Sequence, residues 1–115
     1  MKIKHTGELY LGLYSENQNS LMNINGSISK PIKIIKENTV LNNLDYTIIC
    51  DTREKNIDII LPNKCHGRIY NIKKLNKKNT VNIISENTID NKKIYELIEE
   101  NKITIQNCLN KWFII

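Results

Sequence analysis

Leu9, Leu11 and Leu13 alternate with Tyr10, Gly12 and Tyr14, the two-residue period of a β-strand that buries one face. Gly7, Gly12, Gly26 and Pro31 break this region into short pieces, and an Asn/Ser-rich stretch runs from Ser15 to Ser20. Leu21 to Ile28 reads as a short strand ending in the Asn25-Gly26 turn, and Lys33 to Lys36 as a further apolar piece. From Leu44 the rhythm becomes regular. Strands are predicted over Tyr46–Cys50, Ile57–Leu61, Arg68–Lys73, Thr80–Ile84, Lys102–Cys108 and Trp112–Ile115. The second stops at Pro62, which has no N–H to give to a ladder. Ile94–Leu97 fits a strand or a helical turn. The predicted class is all-β, with short antiparallel strands in a small sandwich or barrel. Alternation assigns Ile57, Ile59, Leu61, Tyr70, Ile72, Val81, Ile83, Ile103 and Ile105 to the core, closed by Trp112 and Ile114.

Composition sharpens this picture. Of 115 residues, 22 are Ile, 18 Asn and 15 Lys, and there is no Ala. A chain of β-branched and turn-forming residues without its best helix former excludes a helical bundle. The net charge of +5 raises nucleic acid as a partner, but 15 of the 17 basic residues are lysines scattered among Asn and Ile. The two arginines are Arg53 and Arg68, and arginine makes most specific phosphate and base contacts. The densest cluster, Lys73, Lys74, Lys77 and Lys78, falls where a turn is expected and reads as a solvated loop.

Three cysteines, Cys50, Cys65 and Cys108, make an odd number without Cys-x-x-Cys spacing, so neither a disulfide framework nor a zinc knuckle is expected. No signal-like apolar run opens the chain, and no stretch approaches the ~20 apolar residues of a membrane helix. A soluble protein folded in a reducing compartment is the expectation. Candidate chemistry is sparse. Cys65-His66 is the one adjacent pair that invites a metal or nucleophile, but neighbours on a strand point to opposite faces. Asp58 should face away from the core, and Glu99-Glu100 should be a solvated edge. A paired-carboxylate glycosidase would need a groove that a chain this short could form only between subunits. No enzymatic activity, cofactor or metal site is expected.

Two stretches carry a resemblance. Thr6-Gly7-Glu8-Leu9-Tyr10-Leu11-Gly12, followed after a gap by Leu21 to Ile28, resembles the short repeating unit of viral fibre and adhesin shafts. From Asp45 to Ile115 the chain resembles the carboxy-terminal domain of phage tail-fibre-like proteins, which also occurs in virion proteins of large DNA viruses. The shared series is Tyr46-Thr47-Ile48-Ile49, Ile57 to Pro62, Gly67 to Lys74, Asn79 to Ile83, Thr88-Ile89-Asp90 and Asn110 to Ile115. The family often has Asp-Gly where this chain has Asp90-Asn91; Asn also tolerates positive φ.

The resemblance implies a homotrimeric fibre tip on a virion, assembled in host cytoplasm, with residues 1–44 as a shaft or neck and 45–115 as the head. Symmetric winding of three copies would bury Leu9, Leu11, Leu13, Leu21 and Ile24, which a short glycine-punctuated segment cannot bury alone. The implied function is attachment to a host surface glycan or receptor, through loops carrying Asp51, Arg53, Lys55, Lys64, His66, Lys77 and Lys78. Two alternatives stand beside it: a capsid cement or vertex protein joined to other virion proteins, and a small basic nucleic-acid-binding module.

Overall fold

The computed structural model describes residues 2–3, 9–10, 22, 24–99 and 101–115. Near the start, β1 (Lys2–Ile3) and β2 (Leu9–Tyr10) form an antiparallel pair. The remaining strands build one nine-stranded sheet, and no helix occurs among the described residues. Three of them, β3 (Ile32–Ile35), β5 (Thr47–Cys50) and β7 (Ile69–Lys74), lie side by side in parallel. A second parallel set is β4 (Thr39–Val40), β6 (Ile57–Ile60) and β8 (Val81–Ile89). The chain alternates between these two faces, so it winds as a short solenoid. Thr47 pairs with Asn71 and Ile57 with Val81, which makes the last full coil a step of 24 residues.

One end of the solenoid is closed. β10 (Lys102–Cys108) pairs antiparallel with β7 and turns into β11 (Lys111–Ile114), which meets β8 at Trp112 opposite Ile89. The hairpin thus ties the two faces together. β9 (Lys92–Leu97) folds back on the first half of β8 through Asp90 and Asn91, both at positive φ (46° and 71°). At the other end, β3 and β4 terminate the sheet and each pairs on one side only.

The all-β class is found, but the expected antiparallel sandwich is not. Within the large sheet five pairings are parallel and three antiparallel. Side chains alternate with the same period of two in either arrangement, so the pattern predicts strands and faces without predicting direction. The sheet also runs across residue 44, because β3 and β4 form the first coil beneath β5 and β6.

The interior is a set of aliphatic columns running along the solenoid axis. Ile48, Ile72 and Ile103 share one; Ile57, Val81 and Leu97 share another; Ile59 and Ile83 continue to Tyr95. All except Tyr95 are buried, as are Leu61, Tyr70, Ile105 and Trp112. Each aliphatic so removed from water contributes roughly 1.5–3 kcal/mol. Trp112 plugs the closed end: its ring stacks on Tyr70 at 5.5 Å and its Nε1 donates to the Pro62 carbonyl at 3.3 Å. Ile114 is partly buried and packs against the core beside Trp112, as expected.

Polar side chains stack at the same 24-residue step. Asn71 Nδ2 donates to Thr47 Oγ1 (3.4 Å), Asn82 Nδ2 to Asp58 Oδ1 (2.9 Å), and the Thr80 amide to Asn56 Oδ1 (2.8 Å). Thr104 Oγ1 extends the first row by donating to Asn71 Oδ1 at 2.7 Å. These bonds fix one coil over the next where the aliphatic columns alone could slide.

Three local expectations change. Lys74 is not in a solvated loop: it is fully buried beside Cys50, with its Nζ donating to the Asn76 carbonyl. Ile94–Leu97 is strand, within β9. Met22 and residues 24–31 carry no strand, and Ile24 is exposed; Leu11, Leu13, Leu21 and the side chain of Leu9 lie outside what is described.

Candidate interaction surfaces

Because the chain alternates between two faces, its turns gather at two opposite corners. The β3–β4, β5–β6 and β7–β8 turns share the first. Here Thr52, fully buried, places its hydroxyl 2.8 Å from Asn76 Oδ1 and 2.6 Å from the Lys78 carbonyl, while Asn79 Nδ2 donates to the Thr52 carbonyl at 2.7 Å. Asp51 is nearly buried. Its carboxylate accepts from Arg53 Nε and Nη2 and from Asn76 Nδ2, and these bonds, the Arg53 ones foremost, hold it far below the usual carboxylate range. Lys55 reaches across to Glu37. Of the seven residues assigned to recognition, Asp51, Arg53, Lys55, Lys77 and Lys78 therefore come together at one corner. Asp51 faces inward as the anchor of the turn, and the other four are exposed.

Lys64 and His66 are exposed at the opposite corner, where the β6–β7 turn packs against the β10–β11 turn. The Gly67 amide donates to the Asn107 carbonyl, and His66 Nδ1 accepts from the Leu109 amide at 2.9 Å. Lys64 takes a positive φ of 53°. A shallow depression of about 250 Å³ lies here, lined by His66, Gly67, Gln106, Cys108, Phe113 and Ile115 among others. Cys65 is buried and its Sγ lies 3.7 Å from the Pro62 carbonyl, while the exposed His66 turns its Nδ1 to the Leu109 amide, so the adjacent pair does not converge.

Among the described residues no three His, Cys, Asp or Glu side chains gather as a metal would require. Burial pushes the Cys50 thiol up to about 12 and raises that of Cys65. Asp58 faces outward, bonded to Asn82, as expected.

Two features of the outer faces go beyond the single-strand pattern. On the β4–β6–β8–β9 face, Val40, Ile60, Ile84 and Ile94 are successive partners across four strands. Val40, Ile60 and Ile94 are 64%, 44% and 48% exposed, so this straight aliphatic row, about 14 Å long at strand spacing, faces solvent. On the β3–β5–β7–β10 face, a groove of about 410 Å³ is lined by Ile32, Thr47, Ile49, Asn71, Lys73 and Lys102. The sequence signal for both is the 24-residue repeat: Tyr46/Tyr70, Ile48/Ile72, Ile57/Val81, Ile59/Ile83 and Ile60/Ile84. Superposing the two repeats by residue number aligns one neighbouring pair in each row, Ile60 with Ile84 and Ile49 with Lys73, and the remaining pairings come from the fold.

No protein family, curated protein or solved structure matches this chain.

Proposed function

We propose that this chain is a non-enzymatic structural protein of a virion: the head of a homotrimeric fibre or spike that attaches to a host surface by non-covalent contact. The ordered series from Tyr46 to Ile115 suggests the class, and the observation that carries the reading is the aliphatic row Val40–Ile60–Ile84–Ile94. Four aliphatics in line on an outer face leave much of their apolar surface in water in one copy, which is the mark of an interaction surface. Symmetry mates of the same solenoid carry rows with the same strand spacing and can interdigitate with it. The closed β10–β11 end and the one-sided β3 and β4 strands suit a head that continues into a shaft on its open side.

The test is solution mass by light scattering after size exclusion, at low and high salt. A trimer that persists at high salt is expected, since apolar contact is not screened. A well-folded monomer at both salts overturns the reading. Association seen only at low salt, with DNA or RNA bound, would turn it towards a nucleic-acid module. Burial between capsomers on the particle, in place of a distal position, would favour the cement role.

A further inference from the structure

We infer that the outer face of the β3–β5–β7–β10 sheet is a binding groove for an acidic saccharide, with Lys73 and Lys102 holding its carboxylate or sulfate. This deepens the attachment reading and rests on it, moving the contact from the corner loops to the sheet face.

The argument begins with register. Lys73 and Lys102 are direct partners across the antiparallel β7–β10 pair, and both are exposed on the outer face. Side chains so placed start about 5 Å apart, and like charges directly opposite each other repel. A sheet keeps such a pair at a cost unless something negative lies between them. No carboxylate among the described residues pairs with either lysine: the ion pairs found there are Lys33–Asp45, Arg53–Asp51 and Lys55–Glu37. Two ammonium groups on adjacent strands lining one groove can supply up to six N–H donors and no acceptor, which matches one carboxylate or sulfate.

The rest of the groove fits a sugar better than a bare anion. The lysines end the row Ile34–Ile49–Lys73–Lys102, and beside it runs the polar row Ile32–Thr47–Asn71–Thr104. Thr47, Asn71 and Thr104 are already bonded to one another, so their side chains are held in place before a ligand arrives. Ile32 and Ile34 are 64% and 63% exposed and form an apolar flank against which the C–H face of a pyranose ring can lie. A volume of about 410 Å³ suits one or two sugar rings. Nucleic acid is the weaker fit, because among the described residues neither an arginine nor an aromatic ring lines the groove as a platform for bases.

The experiment is calorimetric titration of the full chain with a sulfated disaccharide, a uronate-containing oligosaccharide, a neutral oligosaccharide and single-stranded DNA. The variants are Lys73→Gln/Lys102→Gln and the corner control Lys77→Gln/Lys78→Gln. At least one acidic saccharide is expected to bind one per chain, more tightly than the neutral one. The groove variant should weaken it roughly tenfold or more, the corner control leaving it unchanged. The groove variant should also melt no lower than the parent, since it removes a repulsion, so lost binding is separable from lost fold. Absence of acidic-saccharide binding, equal affinity for the neutral sugar, loss in the corner control alone, or DNA as the tighter ligand would each overturn the groove. The oligomer measurement is independent: a salt-resistant trimer without acidic-saccharide binding removes this inference and leaves the fibre reading standing, whereas a monomer removes the latter.

Discussion

Replacing Trp112 tests whether the terminal hairpin is an integral cap or an appendage. The indole is fully buried where β11 passes from one face to the other, stacked on Tyr70 at 5.5 Å with an interplanar angle of 27°. Trp112→Ala removes the largest buried side chain at the closed end, and such truncations cost about 3–5 kcal/mol. Trp112→Phe keeps a ring against Tyr70 but loses part of the buried area and the Nε1 bond to Pro62. That bond is long at 3.3 Å, so about 0.5–1 kcal/mol belongs to it, and about 1–3 kcal/mol to the substitution as a whole. A chain of this length shifts its melting point by about 3–6 °C per kcal/mol. Thermal and urea unfolding followed by far-ultraviolet circular dichroism should therefore place the Phe variant several degrees below the parent. The Ala variant should lose a large share of a total stability of roughly 5–15 kcal/mol. Since Trp112 joins both faces, the loss should appear as one cooperative transition. A cost under about 1 kcal/mol for Trp112→Ala, or a separate early transition for the hairpin alone, would refute the claim that Trp112 holds the solenoid end together.

Asp51 is held ionised chiefly by its bonds to Arg53, so its contribution is present above the unfolded carboxylate value near ~3.9 and lost as pH falls towards the lower folded value. Urea midpoints measured from pH 6 down to pH 2 should thus fall less steeply for Asp51→Asn than for the parent; parallel curves would contradict the assignment. With native protein at pH 8, a thiol reagent should modify exposed Cys108 quickly, while Cys50 and Cys65 wait for unfolding. Three thiols reacting in one phase would be incompatible with the burial described. Leu109 sits in the β10–β11 turn at φ 60° with its side chain 71% exposed, an unfavourable conformation for Leu with little packing in return. Leu109→Gly should raise stability by about 0.5–1 kcal/mol in the same unfolding assay, and a loss would show that the side chain packs after all.

Most of what sequence could say concerned single strands and their two faces. Alternation in Ile57–Leu61, Arg68–Lys73 and Lys102–Cys108 placed Ile57, Ile59, Ile72, Ile103 and Ile105 inside, and they are inside, because burying every second side chain is a local demand that each strand meets by itself. Asp90-Asn91 also behaves as its residue types require. Most of what lies beyond the strand followed from tertiary structure. Parallel and antiparallel neighbours ask for the same alternation, so alternation could not place Ile48 over Ile72 or Ile57 over Val81; their 24-residue spacing is the one trace in the sequence of the winding that does. Lys74 shows the consequence. Its type and neighbours suggest a solvated turn, but the coil beneath it puts that position in the interior beside Cys50, where its stem packs and its ammonium finds a carbonyl. The outer rows have the same origin. Val40, Ile60, Ile84 and Ile94 are far apart in sequence and become a single apolar line only through pairing across four strands. Lys73 and Lys102 face one another because β10 closes the solenoid against β7. Local periodicity sets which way a side chain points; long-range register sets what stands next to it.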